Sequence, residues 1–265
     1  MMTTNSFAPA IRLGRFDGVL KILRFNWPQY AAGTGVVAVA VAIVATVPLP
    51  TWLDALGLAG ACVASFWLIA SLAVSFYVYD LSPLYRWSWI AEMLSEAPAR
   101  WVNIHMGLDD STAALRRMFP SSKGRSFDAF DERKMSEPSI HRARQLAMNS
   151  EPAEPVSFSS LPPATASCDA VFLILSAHEL RRRQSQEQFF SEVSRIVRPG
   201  GTVLLVEHLR DGWNFLAFGP GYMHFWPARR WASLALGAGL TIEEQRRIIP
   251  FVTAFVLRKP GLGSR

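Results

Sequence analysis

The sequence predicts an α/β domain built on a mainly parallel sheet and preceded by a hairpin of two apolar helices. Three observations predict it. The chain contains two stretches without a charged residue, 27–53 and 55–79. From about residue 101 onward, short apolar runs alternate with amphipathic stretches, the pattern of β-α-β units. Near the end, two strand-like runs flank Pro250 with no room for a crossover helix, so the final strand pairs antiparallel. With 50% hydrophobic and 18% charged residues, the chain is too apolar to be disordered.

The apolar stretches come first. As helices, 28–47 would be roughly 30 Å long and 55–79 roughly 37 Å, each enough for a hydrocarbon core of about 30 Å. Two transmembrane helices are therefore expected, a pair of buried helices being the alternative. Against the buried pair, 31–47 has no polar face, only Thr34 and Thr46 among Ala, Val, Gly and Ile. A cleaved signal peptide fits poorly, because the first run begins late and a second span follows at once. Pro48, Leu49, Pro50, Thr51 and Trp52 leave room only for a tight turn. Arg12, Arg15, Lys21 and Arg24 precede the first span, Arg86 and Arg100 follow the second, and the turn has no Lys or Arg. The positive-inside rule then places both termini in the cytoplasm, at an inner or plasma membrane.

Trp27, Tyr30, Trp52, Tyr77, Tyr79, Tyr85, Trp87 and Trp89 cluster at the expected boundaries, as an interfacial aromatic belt would. Ala31, Gly33 and Gly35 facing Gly57, Gly60, Ala61 and Ala64 would allow close helix packing. Cys62 and Cys168 are too isolated for a metal pair or a disulfide in a reducing cytoplasm, and no metal is expected. The expected organisation is a basic cytoplasmic segment (1–27), a transmembrane hairpin (28–80), a juxtamembrane linker (81–99) and the α/β domain (100–265).

Within that domain, 100–105 reads as a first strand, 111–119 as a helix capped by Ser111, 125–127 as a second strand and 140–148 as a helix. A third strand is expected around 156–159. The continuous apolar run 170–175, opened by Asp169, should be a central strand buried on both faces. Residues 184–197 then read as a helix, Arg198-Pro199-Gly200-Gly201 as a turn and 203–206 as a strand. A helix over 228–238 ends at Gly239. Two edge strands, 244–249 and 252–257, close the sheet.

Asp169, the apolar strand it opens, His178-Glu179-Leu180, the helix with Phe189, Phe190, Val193 and Ile196, then Val197-Arg198-Pro199-Gly200-Gly201 and Val203 to Glu207 together resemble a known block. It is the fourth strand, following helix, "LrPGG" turn and fifth strand of the class I S-adenosylmethionine-dependent methyltransferases. The resemblance covers about residues 100 to 259 and implies a Rossmann-like seven-stranded sheet and an S-adenosylmethionine cofactor. Ser159-Ser160-Leu161-Pro162 resembles the family's "aLP" loop, and Phe127-Asp128 followed by Ala143-Arg144 its second-strand acid and helix. Asp128 is thereby the expected ribose ligand, a carboxylate at the end of strand two accepting from both hydroxyls, with Asp131 as the alternative if the register differs.

Where the family has alternating glycines, this chain reads Asn103-Ile104-His105-Met106-Gly107-Leu108-Asp109-Asp110 and keeps only Gly107. His105 and Asp109 must change the loop's path or what it holds. Asp109 or Asp110 could pair with the cofactor's cationic groups, whereas they would repel a dinucleotide's pyrophosphate; alternatively Asp110 and Ser111 cap the next helix. The expected cofactor set is Gly107, Asp109, Asp128, Ser160, Leu161 and Ser176.

Methyl transfer needs alignment and, for hydroxyl acceptors, removal of a proton. His178 and Glu179 after strand four, and His208 with Glu207 after strand five, lie where open α/β folds bind ligands, so His178, Glu179 and His208 are the candidate catalytic groups. The plainer alternatives are that His178 caps the next helix, Glu179 pairs with Arg181, Arg182 or Arg183, and His208 is a satisfied turn residue. The aromatic, glycine-rich stretch from Arg210 to Trp226 would wall an apolar acceptor, dip into the bilayer or pack on the hairpin. The expected function is a membrane-anchored methyltransferase acting on a lipid- or quinone-like small molecule. The net charge of +6 allows nucleic acid, but a membrane anchor argues against it. Two alternatives remain, a cofactor-free member serving as a membrane-bound partner and one using the cofactor for other chemistry.

Overall fold

The computed structural model describes residues 14–146 and 153–261. Arg12 and the last residues of the helix expected over 140–148 lie outside them. Helix α1 spans Asp17–Thr46 and α2 spans Thr51–Phe76. The first therefore starts well before Pro28. Its path is broken at Asn26 (φ −112°, ψ 15°), where Pro28 supplies no N–H to the preceding turn. The carboxylate of Asp80, just beyond α2, accepts from the N–H groups of Gly18 and Val19 at 2.7 and 2.8 Å. It satisfies donors that a helix start otherwise leaves unpaired. Gly18 is required there, since a Cβ would lie 2.5 Å from that of Tyr79.

Both helices are long and apolar enough to cross a membrane, and 0% and 17% of their most apolar stretches are buried. Val36, Leu56, Phe66 and Ile69 are all exposed. A core pair of helices would show the opposite burial.

Residues 81–99 are more than a linker. After a π-helical turn, Tyr77–Leu81, come a 3-10 turn, Pro83–Arg86, and α3, Ser88–Glu92. Leu84, Trp87, Trp89, Ile90 and Met93 are buried, and with Leu115 of α4 (Thr112–Met118) and Phe119 just after it they cover one face of the sheet over Trp101, Phe172, Leu204 and Val256. Trp87 and Trp89 are thus core residues instead of belt residues, while Trp27 and Trp52 remain exposed. The other face is covered by the amphipathic helices α6 (Arg183–Ile196) and α8 (Ala228–Gly237), through Phe189, Phe190, Val193, Trp231 and Leu234.

The sheet has seven strands, β1 (Arg100–His105), β2 (Lys123–Asp128), β3 (Glu154–Pro155), β4 (Cys168–Ile174), β5 (Val197–His208), β6 (Thr241–Ile249) and β7 (Val252–Arg258), in the order β3-β2-β1-β4-β5-β7-β6. All pairs are parallel except those of β7, which runs antiparallel between β5 and β6. Only β6 is therefore an edge at that end, where two edge strands were expected. The third strand falls at 154–155, not 156–159, because Ser157 to Ser160 fold back on one another.

The Arg-Pro-Gly-Gly segment is a bulge inside β5. Cys168 pairs with Val197 but Ala170 with Thr202. Arg198 Nε holds Asp169 Oδ1 at 2.6 Å, and Asp169 Oδ2 accepts from the Arg100 N–H at 2.7 Å. Burial opposes ionisation of Asp169, but these two partners outweigh it and hold its carboxyl below the usual range. This part of the motif fastens three strands at their amino ends.

Trp101 and Gly124 face each other across β1 and β2. The indole lies so close that a Cβ on Gly124 would fall 2.0 Å from Trp101 Cζ2, and Trp101 is fully buried. Gly124→Val is expected to destabilise the domain by about 3 kcal/mol through overpacking. Thermal unfolding followed by circular dichroism checks this, and an unchanged midpoint would mean the indole can move aside.

Candidate active site at the carboxyl edge of the sheet

From β1 the chain crosses to β2 on one side, while β4 lies on the other, so the topological switch point sits between β1 and β4. Around it the fold gathers the ends of four strands: His105 to Gly107, Asp128, Ser176 to Glu179, and Glu207 with His208. Ser176 donates to the Ile104 carbonyl at 3.0 Å and ties β4 to β1.

After β1 the loop is rebuilt around two side chains that replace glycines. His105 Nδ1 accepts from the Gly107 N–H at 3.2 Å, and burial pushes the ring's pKa down, with Asp109 and Asp128 opposing. Asp109 Oδ1 accepts from the N–H groups of Ser111 and Thr112 at 3.0 and 2.9 Å and from Asn103 Nδ2 at 3.2 Å. The start of α4 is thus capped by Asp109, where Ser111 was expected, and Ser111 makes no side-chain cap. Asp110 instead pairs with Lys21 Nζ at 2.6 Å and accepts from Tyr85 at 3.2 Å, joining α1 to the domain.

Asp128 ends β2, as expected of the ribose ligand. Its Oδ1 accepts from the Phe130 N–H at 3.1 Å and its Oδ2 from Arg144 Nη1 at 2.7 Å. Arg144 comes from α5 (Pro138–Leu146) and lies over the Phe130 ring and against Gly107. Gly107 has φ +106°, and a Cβ there would meet the Arg144 side chain at 2.4 Å. The guanidinium thus fills the space between the remaining glycine and the acid. Asp131 turns away and accepts from the Arg133 N–H.

Two expected cofactor residues are not brought to this edge. Leu161 is buried, its N–H donating to Glu192 Oε2 at 2.8 Å and its carbonyl accepting from Arg195, both in the last turns of α6 near the amino end of β4. Ser160 is exposed beside it. The Leu-Pro loop packs the helix, a role that its sequence does not separate from ligand binding.

Across the switch point, His178 sits in the 3-10 turn Ala177–Glu179. Its Nδ1 lies 2.7 Å from Oε2 of the fully buried Glu207, whose Oε1 accepts the His178 N–H at 3.2 Å. Its Nε2 faces Glu179 Oε1 at 3.4 Å. Burial alone would depress the imidazole pKa, but Glu207 and Glu179 outweigh it and lift it to about 10. Glu179 Oε2 is buried without a hydrogen-bond partner.

His224 joins this cluster from the loop after β5, its ring 5.3 Å from that of His178 and its Nδ1 3.1 Å from Glu137 Oε2. Arg181 does not pair with Glu179. It donates to the carbonyls of His224 and His178 at 2.6 and 3.2 Å and faces Glu137 at 3.4 Å. Nor does His178 cap the following helix, whose N-cap is Arg182. Glu137 was not foreseen: it precedes α5 far from His178 in sequence, and no local pattern marks it.

His208 is a buried ring packed against Phe225 at 4.8 Å, and its Nδ1–H donates to the Phe251 carbonyl at 2.9 Å. Burial, and then the charge on His178, push its pKa down to about 4, so it stays neutral. Beyond it, α7 (Gly212–Phe218) rests on α2: Phe215 meets Trp67 edge-on at 5.4 Å, and Gly219 (φ +52°) presses against the Trp67 indole. Trp213, Phe215, Leu216 and Met223 remain exposed.

A family model described as "Methyltransferase domain" matches residues 133–205. No curated protein matches the sequence. A solved S-adenosylmethionine-dependent methyltransferase from Aquifex aeolicus is 13% identical with a TM-score of 0.50, the match covering 64% of this chain and 87% of the other. One from Methanosarcina mazei is 16% identical with a TM-score of 0.48, covering 66% and 98%. The matched family segment runs from just before α5 to the middle of β5, through the turn that carries His178 and Glu179.

Proposed function

We propose, from the methyltransferase-domain match and the fold, that this chain is a membrane-anchored S-adenosylmethionine-dependent methyltransferase acting on a hydrophobic, lipid- or quinone-like small molecule. The observation that carries this reading is the seating of α7 on α2. The wall beside the active site continues, through Phe215 and Trp67, into an exposed apolar hairpin. A molecule partitioned in the bilayer would meet Trp213, Leu216 and Met223 before it met water. The hairpin spans the membrane with both termini cytoplasmic, in keeping with its exposed apolar surface and the charge on its flanks.

The residues at the switch point fit S-adenosylmethionine. Asp128 offers a carboxylate at the end of β2, and Gly107 permits close approach of the backbone. Arg144, with a side chain 34% exposed at the end of α5, has room to turn outward. Asp128 and Gly107 would hold the nucleoside, and Ser176 keeps the two strand ends together beneath it. When bound, the cofactor supplies a methyl carbon made electrophilic by its sulfonium. The protein's part is to hold the acceptor in line with that carbon. Glu207 fixes the His178 ring beside the acceptor atom, and the uncommitted Oε2 of Glu179 takes the proton of a hydroxyl acceptor. His208 keeps β5 and the Phe251 turn in register through its ring.

A second reading, a membrane-bound scaffold without cofactor, is favoured by the Arg144 guanidinium lying where the nucleoside would go. Purified protein in lipid nanodiscs, given cofactor with a labelled methyl group and a membrane extract, separates the two. Label in the organic phase is expected, lost in Trp213→Glu with cofactor binding intact. Binding of S-adenosylhomocysteine with label confined to water-soluble products would overturn the hydrophobic acceptor. No binding by folded protein would favour the scaffold.

A further inference from the structure

We propose that His178, Glu179 and His224 form a binding site for one divalent transition-metal ion of the zinc type, beside the place of the methyl acceptor. One ligand atom from each of the three lies within 4.8 Å of the others. Bonds of about 2.1 Å to a tetrahedral ion put neighbouring ligand atoms about 3.4 Å apart. His178 Nε2 and Glu179 Oε1 already stand 3.4 Å apart. Only His224 has to close in, and it is carried on the 3-10 turn Gly219–His224, whose glycines leave the backbone adaptable.

The surroundings are those of a ligand set. Metal-binding histidines generally give their second ring nitrogen to a carboxylate, which fixes the ring and the tautomer. Both histidines here do so: His178 Nδ1 lies 2.7 Å from Glu207 Oε2, and His224 Nδ1 3.1 Å from Glu137 Oε2. His178 thereby presents Nε2 to Glu179 Oε1, and the ion takes the place of the proton on that nitrogen, as ligation requires. Glu179 Oε2 is buried without a partner, an arrangement that a cation would relieve. Two imidazoles and one carboxylate are a donor set for borderline metals, unlike the all-oxygen sets of magnesium or calcium. Three protein ligands leave a coordination position open for an acceptor oxygen, whose proton the ion would make easier to remove. That last role rests on the methyltransferase reading, whereas metal binding does not.

The test is therefore metal binding itself, with no cofactor present. Detergent-solubilised full-length protein is titrated with Zn2+ by calorimetry and with Co2+ by visible absorption. One equivalent is expected, with the strong ligand-field absorption of a four- or five-coordinate cobalt site. His224→Ala should lower the affinity at least tenfold and weaken that absorption. Glu137→Gln, at a carboxylate that faces His224 and Arg181, should lower it less, and His141→Ala not at all. His224 is a partly exposed loop residue, so its loss leaves the core standing, and thermal unfolding verifies this. Absence of stoichiometric binding by folded wild type would overturn the site, as would tight binding that survives both His224→Ala and Glu137→Gln.

Discussion

Glu207→Ala is expected to lower the stability of the domain by about 3 kcal/mol, at the lower end of what breaking a buried ion pair costs. Glu207 is fully buried, and both its oxygens are used by one residue: Oε1 by the His178 N–H and Oε2 by the ring Nδ1. Removing the carboxylate leaves two buried donors without acceptors. The ring can shed its proton, which limits the loss. For a protein of this size, the thermal midpoint should drop by roughly 6–12 °C. Glu207→Gln keeps one carbonyl oxygen and the shape, so it should lose less than half as much. Differential scanning calorimetry of the three proteins decides this. Equal losses for Ala and Gln would show that charge matters and hydrogen bonding does not; no loss for either would remove Glu207 as the anchor of His178.

The sheet was legible because its cause is local. In β1 and β4, runs of apolar residues are bounded by Arg100 or Asp169 and by the turns that follow, and both strands fall within a residue or two of expectation. Helix α6 shows its face through Phe189, Phe190, Val193 and Ile196. Where the sequence misled, two physical explanations fit one pattern. Trp87 and Trp89 suit a membrane interface as well as a sheet face, and only the tertiary packing that buries them decides. Arg-Pro-Gly-Gly has turn residues, yet β5 runs on through it as a bulge because Arg198 and Asp169 hold both sides.

The site was legible in part for a similar reason. Asp128 and Glu207 lie at strand ends and His178 in the turn that follows β4, so the topology alone brings them to one edge. Glu137 and His224 arrive on loops, and their partnership depends on how Arg181 pins the carbonyls of both histidines. Asp109 was visible as an acid near the cofactor loop, but whether it faced ligand or backbone depended on which residue capped α4. With Asp109 committed to the cap, the carboxylate left to meet a cofactor at the β1–β2 edge is that of Asp128.

That assignment gives the sharpest prediction for the cofactor: Asp128→Ala should weaken binding of S-adenosylmethionine and S-adenosylhomocysteine about a hundredfold. Hydrogen bonds to a charged acceptor contribute about 1.5–3 kcal/mol each, and two ribose hydroxyls would donate to this carboxylate. About 3 kcal/mol corresponds to roughly a hundredfold in Kd. Arg144 Nη1 donates to one oxygen of this carboxylate at 2.7 Å, so cofactor and guanidinium would compete for one acid. Arg144→Ala should therefore tighten binding several-fold, by removing the competitor and clearing the face of Gly107. Calorimetric titration of S-adenosylhomocysteine into wild type and the two variants separates the cases. If Arg144→Ala loses binding as completely as Asp128→Ala, the guanidinium grips the cofactor's carboxylate instead of closing the site. If Asp128→Ala binds like wild type, the ribose is held elsewhere and Asp128 serves only to fasten α5 to β2.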